Sequence, residues 1–213
     1  MAASRSAPLL PGQRSASHPQ RAVTLGVMGG GQLGRMFVHA AQALGFRTAV
    51  LDADPTSPAG RVAHVHIQTP YLDADGLALL ADEANAVTTE FENVPADALR
   101  QLATRRPVAP GGDAVAVCQD RAAEKAHFRA SGVPCAPFAV IDSEADLAGV
   151  LDDLLPGILK TARLGYDGKG QVRVTDRAAL EAAWSELGRV TCVLEKRLAL
   201  AAEVSVIVAR GAD

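Results

Sequence analysis

The sequence predicts an α/β first half followed by an α+β second half, and three observations carry that reading. An alternating run, Val23, Leu25 and Val27, meets Gly29-Gly30-Gly31 and passes straight into a helical stretch, the pattern of a strand turning tightly into a crossover helix. Apolar strands and helical stretches then alternate as far as Pro110, which predicts a parallel sheet with helices on its faces. Beyond the punctuation of Pro107, Pro110, Gly111 and Gly112, strands bracket a glycine-rich loop instead of long crossovers.

Taken in order, Ala22 to Met28 is the first strand and Gln32 to Leu44 the first helix, with an apolar stripe of Leu33, Met36, Phe37, Ala40 and Leu44 and a stop at Gly45. Thr48 to Asp52 is a second strand and His64 to Gln68 a short third one. A helix over Asp75 to Ala84, a strand over Ala86 to Thr89 and a helix over Pro95 to Arg105 complete the first half. The second half opens with a helix from about Asp113 to Ser131. Next come a strand at Phe138 to Ile141 and a helix over Glu144 to Leu154. Strands follow at Ile158 to Arg163, Gln171 to Thr175 and Val190 to Lys196, with a helix over Arg177 to Leu187 before the last. Glu203 to Ala209 reads as a closing strand, the first arm of a hairpin whose partner is missing, so the chain is expected to be a fragment.

The 213 residues are 48% hydrophobic, 21% charged and 4% aromatic, with a net charge of −3. That is too apolar for disorder and offers no basic surplus for nucleic acid. No apolar run approaches the ~20 residues of a membrane span. Cys118, Cys135 and Cys192 form no C-x-x-C pair and are expected to be reduced, buried thiols of a cytoplasmic protein. Residues 1–21, rich in Ser, Pro, Ala and Arg and lacking the apolar core of a secretory signal, are expected to be a disordered extension.

Four motifs carry chemistry. Gly29, Gly31 and Gly34 satisfy G-x-G-x-x-G between a strand and a helix, and Asp52 closes the next strand where a ribose-binding acid would sit. Such a turn presents free amides to an anion; alternatively, the glycines only permit the tight turn. Gly165-Tyr166-Asp167-Gly168-Lys169-Gly170-Gln171 has the glycine spacing of a P-loop, but Gln171 replaces its lysine and a strand follows where a helix should. A flexible glycine loop with a lysine still suits a triphosphate, whereas Asp-Gly alone reads as a hairpin turn. Only four lysines occur, Lys125, Lys160, Lys169 and Lys196; the last three lie at the loop or on strands near it, suggesting a nucleotide cleft. Glu90 and Glu92, in Thr89-Glu90-Phe91-Glu92-Asn93-Val94-Pro95, follow a parallel strand where open sheets bind ligands, or simply cap a helix. His64 and His66 alternate onto one strand face, without an evident third metal ligand.

Several segments together resemble the ATP-grasp enzymes, and among them the 5-(carboxyamino)imidazole ribonucleotide synthase family of purine biosynthesis. They are Gly30 to Met36, Thr89 to Pro95, Gln119-Asp120-Arg121 with Lys125, Lys160 with Gly165 to Gln171, Glu195-Lys196 and Glu203 to Val206. The resemblance implies a biotin-carboxylase-like, Rossmann-like pre-ATP-grasp domain over 22–110 that binds the substrate. It implies an ATP-grasp small lid lobe with its linker helix over 111–199, and the start of the large lobe over 200–213. The implied reaction is ATP-dependent carboxylation of 5-aminoimidazole ribonucleotide by bicarbonate, through carboxyphosphate, with Mg²⁺ bridging phosphates. By resemblance, Arg121, Lys160, Gly165, Tyr166, Asp167, Gly168, Lys169, Gly170, Gln171, Glu195, Lys196, Arg197, Leu198 and Glu203 bind ATP. Lys169, Tyr166 and Asp167 would act at the reacting groups, and Gln32, Leu33 and Glu90 would hold the ribonucleotide. The family's metal ligands, Asn–Glu pair and bicarbonate contacts are expected beyond residue 213, and the full-length enzyme is expected to be a cytoplasmic homodimer that binds neither nucleic acid nor membrane. Other readings are another ATP-grasp ribonucleotide ligase, a Rossmann NAD-dependent oxidoreductase built on the first glycine motif with Asp52, and a non-catalytic nucleotide-binding module.

Overall fold

The computed structural model describes residues 8–16, 19–165 and 169–209. Chain contacts divide it into two compact units between Gln119 and Asp120.

In the first unit, β1 (Thr24–Met28), β2 (Arg47–Leu51), β3 (Val65–Ile67) and β4 (Ala86–Thr89) form a parallel sheet in the order β3-β2-β1-β4. Helix α1 (Gln32–Ala43) lies on one face, where Val38 joins Val27, Val50 and Ala59. Helices α2 (Ala74–Glu83) and α3 (Ala96–Ala103) fill the other with Leu77, Leu80, Leu99 and Leu102, all buried against Met28 and Leu51. Each such burial contributes roughly 1.5–3 kcal/mol. The expected stripe on α1 holds only at Phe37, which packs half-buried against the core. The helix seats Gly34, Val38 and Ala41 on the sheet, and Leu33, Met36 and Leu44 face solvent at 62%, 67% and 62% exposure. Small residues win the inner face because the helix runs close to the strand turn, where a Cβ on Gly34 would lie 2.9 Å from the Gly29 carbonyl oxygen.

Part of the stretch expected to be disordered is tied down. Arg14 bridges Ala22, and the buried Ser15 accepts a 2.8 Å hydrogen bond from Asn85 Nδ2, while Asn85 Oδ1 accepts from the Thr24 amide at 2.9 Å. The long helix expected from Asp113 to Ser131 is two helices, α4 (Gly112–Cys118) and α5 (Arg121–Ala130). The Asp120 carboxylate caps α5 by accepting from the Ala122 and Ala123 amides, whereas Gln119 donates to the Glu92 and Val94 carbonyls of the first unit, both at 2.6 Å. The unit boundary therefore falls after Gln119, beyond the expected position at Pro110.

The second unit is an antiparallel sheet in the order β5-β8-β6-β7, from β5 (Phe138–Ile141), β6 (Gly157–Thr161), β7 (Gln171–Val174) and β8 (Cys192–Lys196). Ile141, Leu159, Val174, Cys192 and Leu194 line one face and pack with Leu147 of α6 (Glu144–Ala148) and with Leu180 and Trp184 of α7 (Arg177–Glu186). The helix expected over Glu144 to Leu154 stops at its Gly149 cap, and a separate 3-10 turn covers Asp152–Leu154. Residues 203–209 form no strand; Val204, Val206, Ile207 and Val208 are at least 76% exposed, because period-two patterning makes a strand only where a ladder partner pairs with it. Of the cysteines, only Cys192 is buried; Cys118 is exposed and Cys135 intermediate. Among the described residues no helix is long and apolar enough to cross a membrane.

Candidate functional site

In the first unit the strand order reverses between β1 and β4, the place where open α/β sheets form a crevice at their carboxyl ends. Gly29 leaves β1 at φ +105°, and Gly31 caps α1 without a side-chain bond of its own. The cap comes from Glu90, one residue after β4: Oε1 accepts from the Gly31 amide at 3.0 Å and Oε2 from the Gly34 amide at 2.9 Å. A carboxylate thus occupies the positive end of the helix. All three glycines serve this approach, since a Cβ on Gly29 or Gly31 would lie within 3 Å of the Glu90 side chain and one on Gly34 at 3.3 Å.

This corrects the dinucleotide reading, because the amides that would receive a pyrophosphate already hold Glu90. Asp52 is engaged as well: Oδ2 accepts from the Gly30 amide and the Tyr71 hydroxyl, both at 2.8 Å, and Oδ1 from the Asp54 amide. Burial, then the Asp52 hydrogen bond, pushes the Tyr71 phenol upward. Gln32 and Leu33 lie exposed in the first turn of α1 beside the crevice. A cleft of about 310 Å³ opens between the end of β4 and α4, lined by Thr89, Glu90, Phe91, Glu92, Pro110 and Val115. His64 and His66 turn to local bonds instead of a shared ligand: Nδ1 of His64 accepts from the Thr48 amide at 3.2 Å, and Nε2 of His66 meets the Asp52 carbonyl at 3.1 Å. Among the described residues no three His, Cys, Asp or Glu side chains come together as a metal site.

In the second unit, the face of the sheet opposite its core carries Phe138, Ile158 and the buried Val193 together with Lys160 and Glu195. The register sets Phe138 opposite Glu195, Glu195 opposite Ile158, and Lys160 opposite both Val193 and Gln171. Lys160 Nζ donates to Glu195 Oε1 at 3.1 Å, and Lys125 Nζ, from α5, lies 3.2 Å from Oε2. Burial would raise the Glu195 carboxyl, but Lys160 and then Lys125 outweigh it and hold it below the usual value. Sequence reasoning named Lys125 within a motif but gave it no role; only the packing of α5 against β8 brings it to Glu195.

The glycine-rich loop joins β6 to β7 and is longer than a tight turn, closed at its stem by the Thr161 amide on the Gly170 carbonyl at 2.8 Å. Arg121, first residue of α5, clasps this stem: its guanidinium donates to the Thr161 carbonyl at 2.8 Å and the Gly165 carbonyl at 3.0 Å. Gly170 adopts φ +69°, and a Cβ there would meet Thr161 Oγ1 at 2.6 Å. Lys169 is exposed on the loop, and Gln171 begins β7; Tyr166, Asp167 and Gly168 lie outside the described residues. Lys196 does not join the cluster. It pairs with Gly157 at the opposite end of β6 and alternates onto the other face. Arg197, Leu198 and Glu203 are exposed beyond β8.

A family model for the ribonucleotide synthetase preATP-grasp domain matches residues 22–119, and one for the ATP-grasp domain matches residues 126–213. The N5-carboxyaminoimidazole ribonucleotide synthase of Pseudomonas aeruginosa is 42% identical over 190 residues, covering 89% of this chain and 52% of the relative. That of Bacillus subtilis is 37% identical over 190 residues, covering 89% and 50%. Among solved structures, the ADP complex of purK, N5-carboxyaminoimidazole ribonucleotide synthetase, aligns at TM-score 0.78 and 34% identity, covering 89% of this chain and 48% of that one. The Aspergillus clavatus N5-carboxyaminoimidazole synthase bound to ADP and 5-aminoimidazole ribonucleotide aligns at TM-score 0.72 and 31% identity, covering 82% and 46%. The chain spans about half the length of the curated relatives it matches.

Proposed function

We propose, from the premise that this chain belongs to the N5-carboxyaminoimidazole ribonucleotide synthase family, that it supplies the substrate domain and the nucleotide-binding lobe of an ATP-dependent carboxylase. The observation that carries this reading is the pair of lysines, Lys160 of β6 and Lys125 of α5, fixed by Glu195, with Lys160 opposite Gln171 at the end of the loop that Arg121 anchors. A polyphosphate needs point charges and backbone amides held in place, and the lobe offers both.

In the proposed reaction, bicarbonate oxygen attacks the γ-phosphorus of ATP, ADP leaves, and carboxyphosphate forms. The amine of 5-aminoimidazole ribonucleotide then attacks the carboxyl carbon, the amine loses a proton, and phosphate departs. Lys160 and Lys169 neutralise phosphate charge, and Tyr166 and Asp167 act at the reacting groups, as the family resemblance implies. Arg121 supports the loop from Gly165 to Gln171 from behind. Residues Glu195 to Leu198 edge the adenine and Glu203 the ribose. Gln32, Leu33 and the unused lone pairs of Glu90 receive the ribonucleotide at the crevice of the first unit. Magnesium, which the family resemblance implies, meets no cluster of three His, Cys, Asp or Glu side chains among the described residues.

The test is phosphate release in a protein of the relatives' full length. It should require both 5-aminoimidazole ribonucleotide and bicarbonate. ATP hydrolysis indifferent to the two would overturn the assignment.

A further inference from the structure

We infer that Lys125 is a positioning residue for the nucleotide phosphates, acting through Glu195 to fix Lys160 and to leave the cluster with a net positive charge. The inference rests on the nucleotide-binding reading and adds a role for a residue that touches no phosphate itself.

The argument begins with charge. Lys160 and Glu195 as a closed pair would sum to zero and offer a polyphosphate little. Lys125 is the second cation on the same carboxylate, so the three side chains carry a net charge of one positive unit. Both Glu195 oxygens are engaged, Oε1 at 3.1 Å by Lys160 and Oε2 at 3.2 Å by Lys125. The carboxylate therefore cannot swing, and the Lys160 ammonium is set before any ligand arrives.

Burial assigns the roles. Lys125 is 12% exposed, Glu195 15% and Lys160 23%, so Lys160 is the most accessible of the three to a ligand and Lys125 the least. The Lys125 ammonium is also 5.9 Å from the centre of the Phe138 ring, and the Arg129 guanidinium is 4.5 Å from it. That aromatic contact holds the ammonium on the inner side without neutralising it. A buried charge that only completed a structural pair would balance its partner; here the cations outnumber the anion.

The experiment compares ATP affinity by calorimetry for a protein of the relatives' full length and its Lys125→Met, Lys125→Gln and Lys125→Arg variants. Loss of one charge-assisted bond is expected to weaken ATP about tenfold in the Met and Gln variants, with a shallower dependence on salt, while Arg restores affinity to within about threefold. Gln keeps a donor toward Glu195 without the charge, so it tests the claim even where Met fails to fold. In the nucleotide-free Gln variant, carbon NMR of Glu195 should show its carboxyl titrating at higher pH than in the wild type. ATP bound equally by wild type and Lys125→Gln would overturn the role of Lys125. A full-length wild-type protein that binds no ATP, with the Glu195 shift still present, would overturn the nucleotide-binding reading instead.

Discussion

Oε2 of Glu90 lies 2.9 Å from the amide nitrogen of Gly34, a contact between residues 56 apart that ties the end of β4 to the first turn of α1. With its partner bond to Gly31, it makes one carboxylate the cap of the helix on the other side of the crevice.

Glu90→Gln is expected to lower the stability of the first unit by about 2 kcal/mol. The amide keeps one acceptor oxygen, turns an N–H₂ group toward the other backbone N–H, and removes the negative charge favoured at that helix end. Urea unfolding followed by circular dichroism checks it. A change below about 0.5 kcal/mol would show that water replaces the cap without cost.

Gly34→Ala pits two effects against each other. Alanine is favoured over glycine inside a helix by about 1 kcal/mol. Its methyl, however, would sit 2.9 Å from the Gly29 carbonyl oxygen and 3.2 Å from Ala59 Cβ, an overpacking that costs about 1–3 kcal/mol and has backbone on one side. Because the Gly29 carbonyl cannot easily yield, the cost lies toward the upper end and the clash is expected to win, with a net loss of up to about 2 kcal/mol. Gly111→Ala, with nothing within 4 Å of its Cβ position, is the control and should change the same unfolding midpoint little.

Much of the architecture was legible in residue order, and the failures have physical causes. β1 announced itself because Val23, Leu25 and Val27 ran into three glycines, and Gly45 at φ +89° ended α1 as expected. The face of α1 was misjudged because apolar periodicity measures hydrophobicity and not clearance: the close approach at Gly34 selects Val38 and Ala41 over Leu33 and Met36. The break after Gln119 was hidden because one side chain capping α5, Asp120, and another bonding back to Glu92 and Val94, Gln119, look like ordinary helix positions in isolation. Lys125 escaped for a related reason, since its partner lies 70 residues away on β8. Nor did residue order show that Lys196 and Lys160 stand on opposite faces of the sheet, which only the register sets.

Arg121→Lys is expected to loosen the loop stem without unfolding the lobe. An ammonium cannot reproduce the guanidinium fork that reaches both the Thr161 and Gly165 carbonyls. Losing one such bond should increase local opening about tenfold. Limited trypsin digestion at Arg163 and Lys169, read by mass spectrometry, should accelerate accordingly while the melting temperature moves little. Unchanged cleavage would mean that the Thr161–Gly170 closure holds the stem alone.

The acid stability of the second unit follows from its carboxylates. Burial opposes the charge on Glu195, but Lys160 and Lys125 prevail and lower its pKa. The Ala179 amide lowers that of Asp176, and the Ser143 hydroxyl that of Asp146, at two helix starts. A carboxyl with a folded-state pKa below its unfolded value contributes stability that is complete above the unfolded value and disappears as pH falls through the folded one. The unit should therefore hold its stability down to the ordinary carboxylate range and lose it below. Trp184, the single tryptophan, is buried in α7 at 4% exposure and reports this unit alone. Its fluorescence across urea titrations at successive pH values supplies the curve. Glu195→Gln should flatten the acid limb and also lower stability at neutral pH, because two half-buried ammoniums would then face each other without an anion. An acid limb of equal steepness in wild type and variant would place the titration on Asp176 and Asp146 and remove Glu195 from the account.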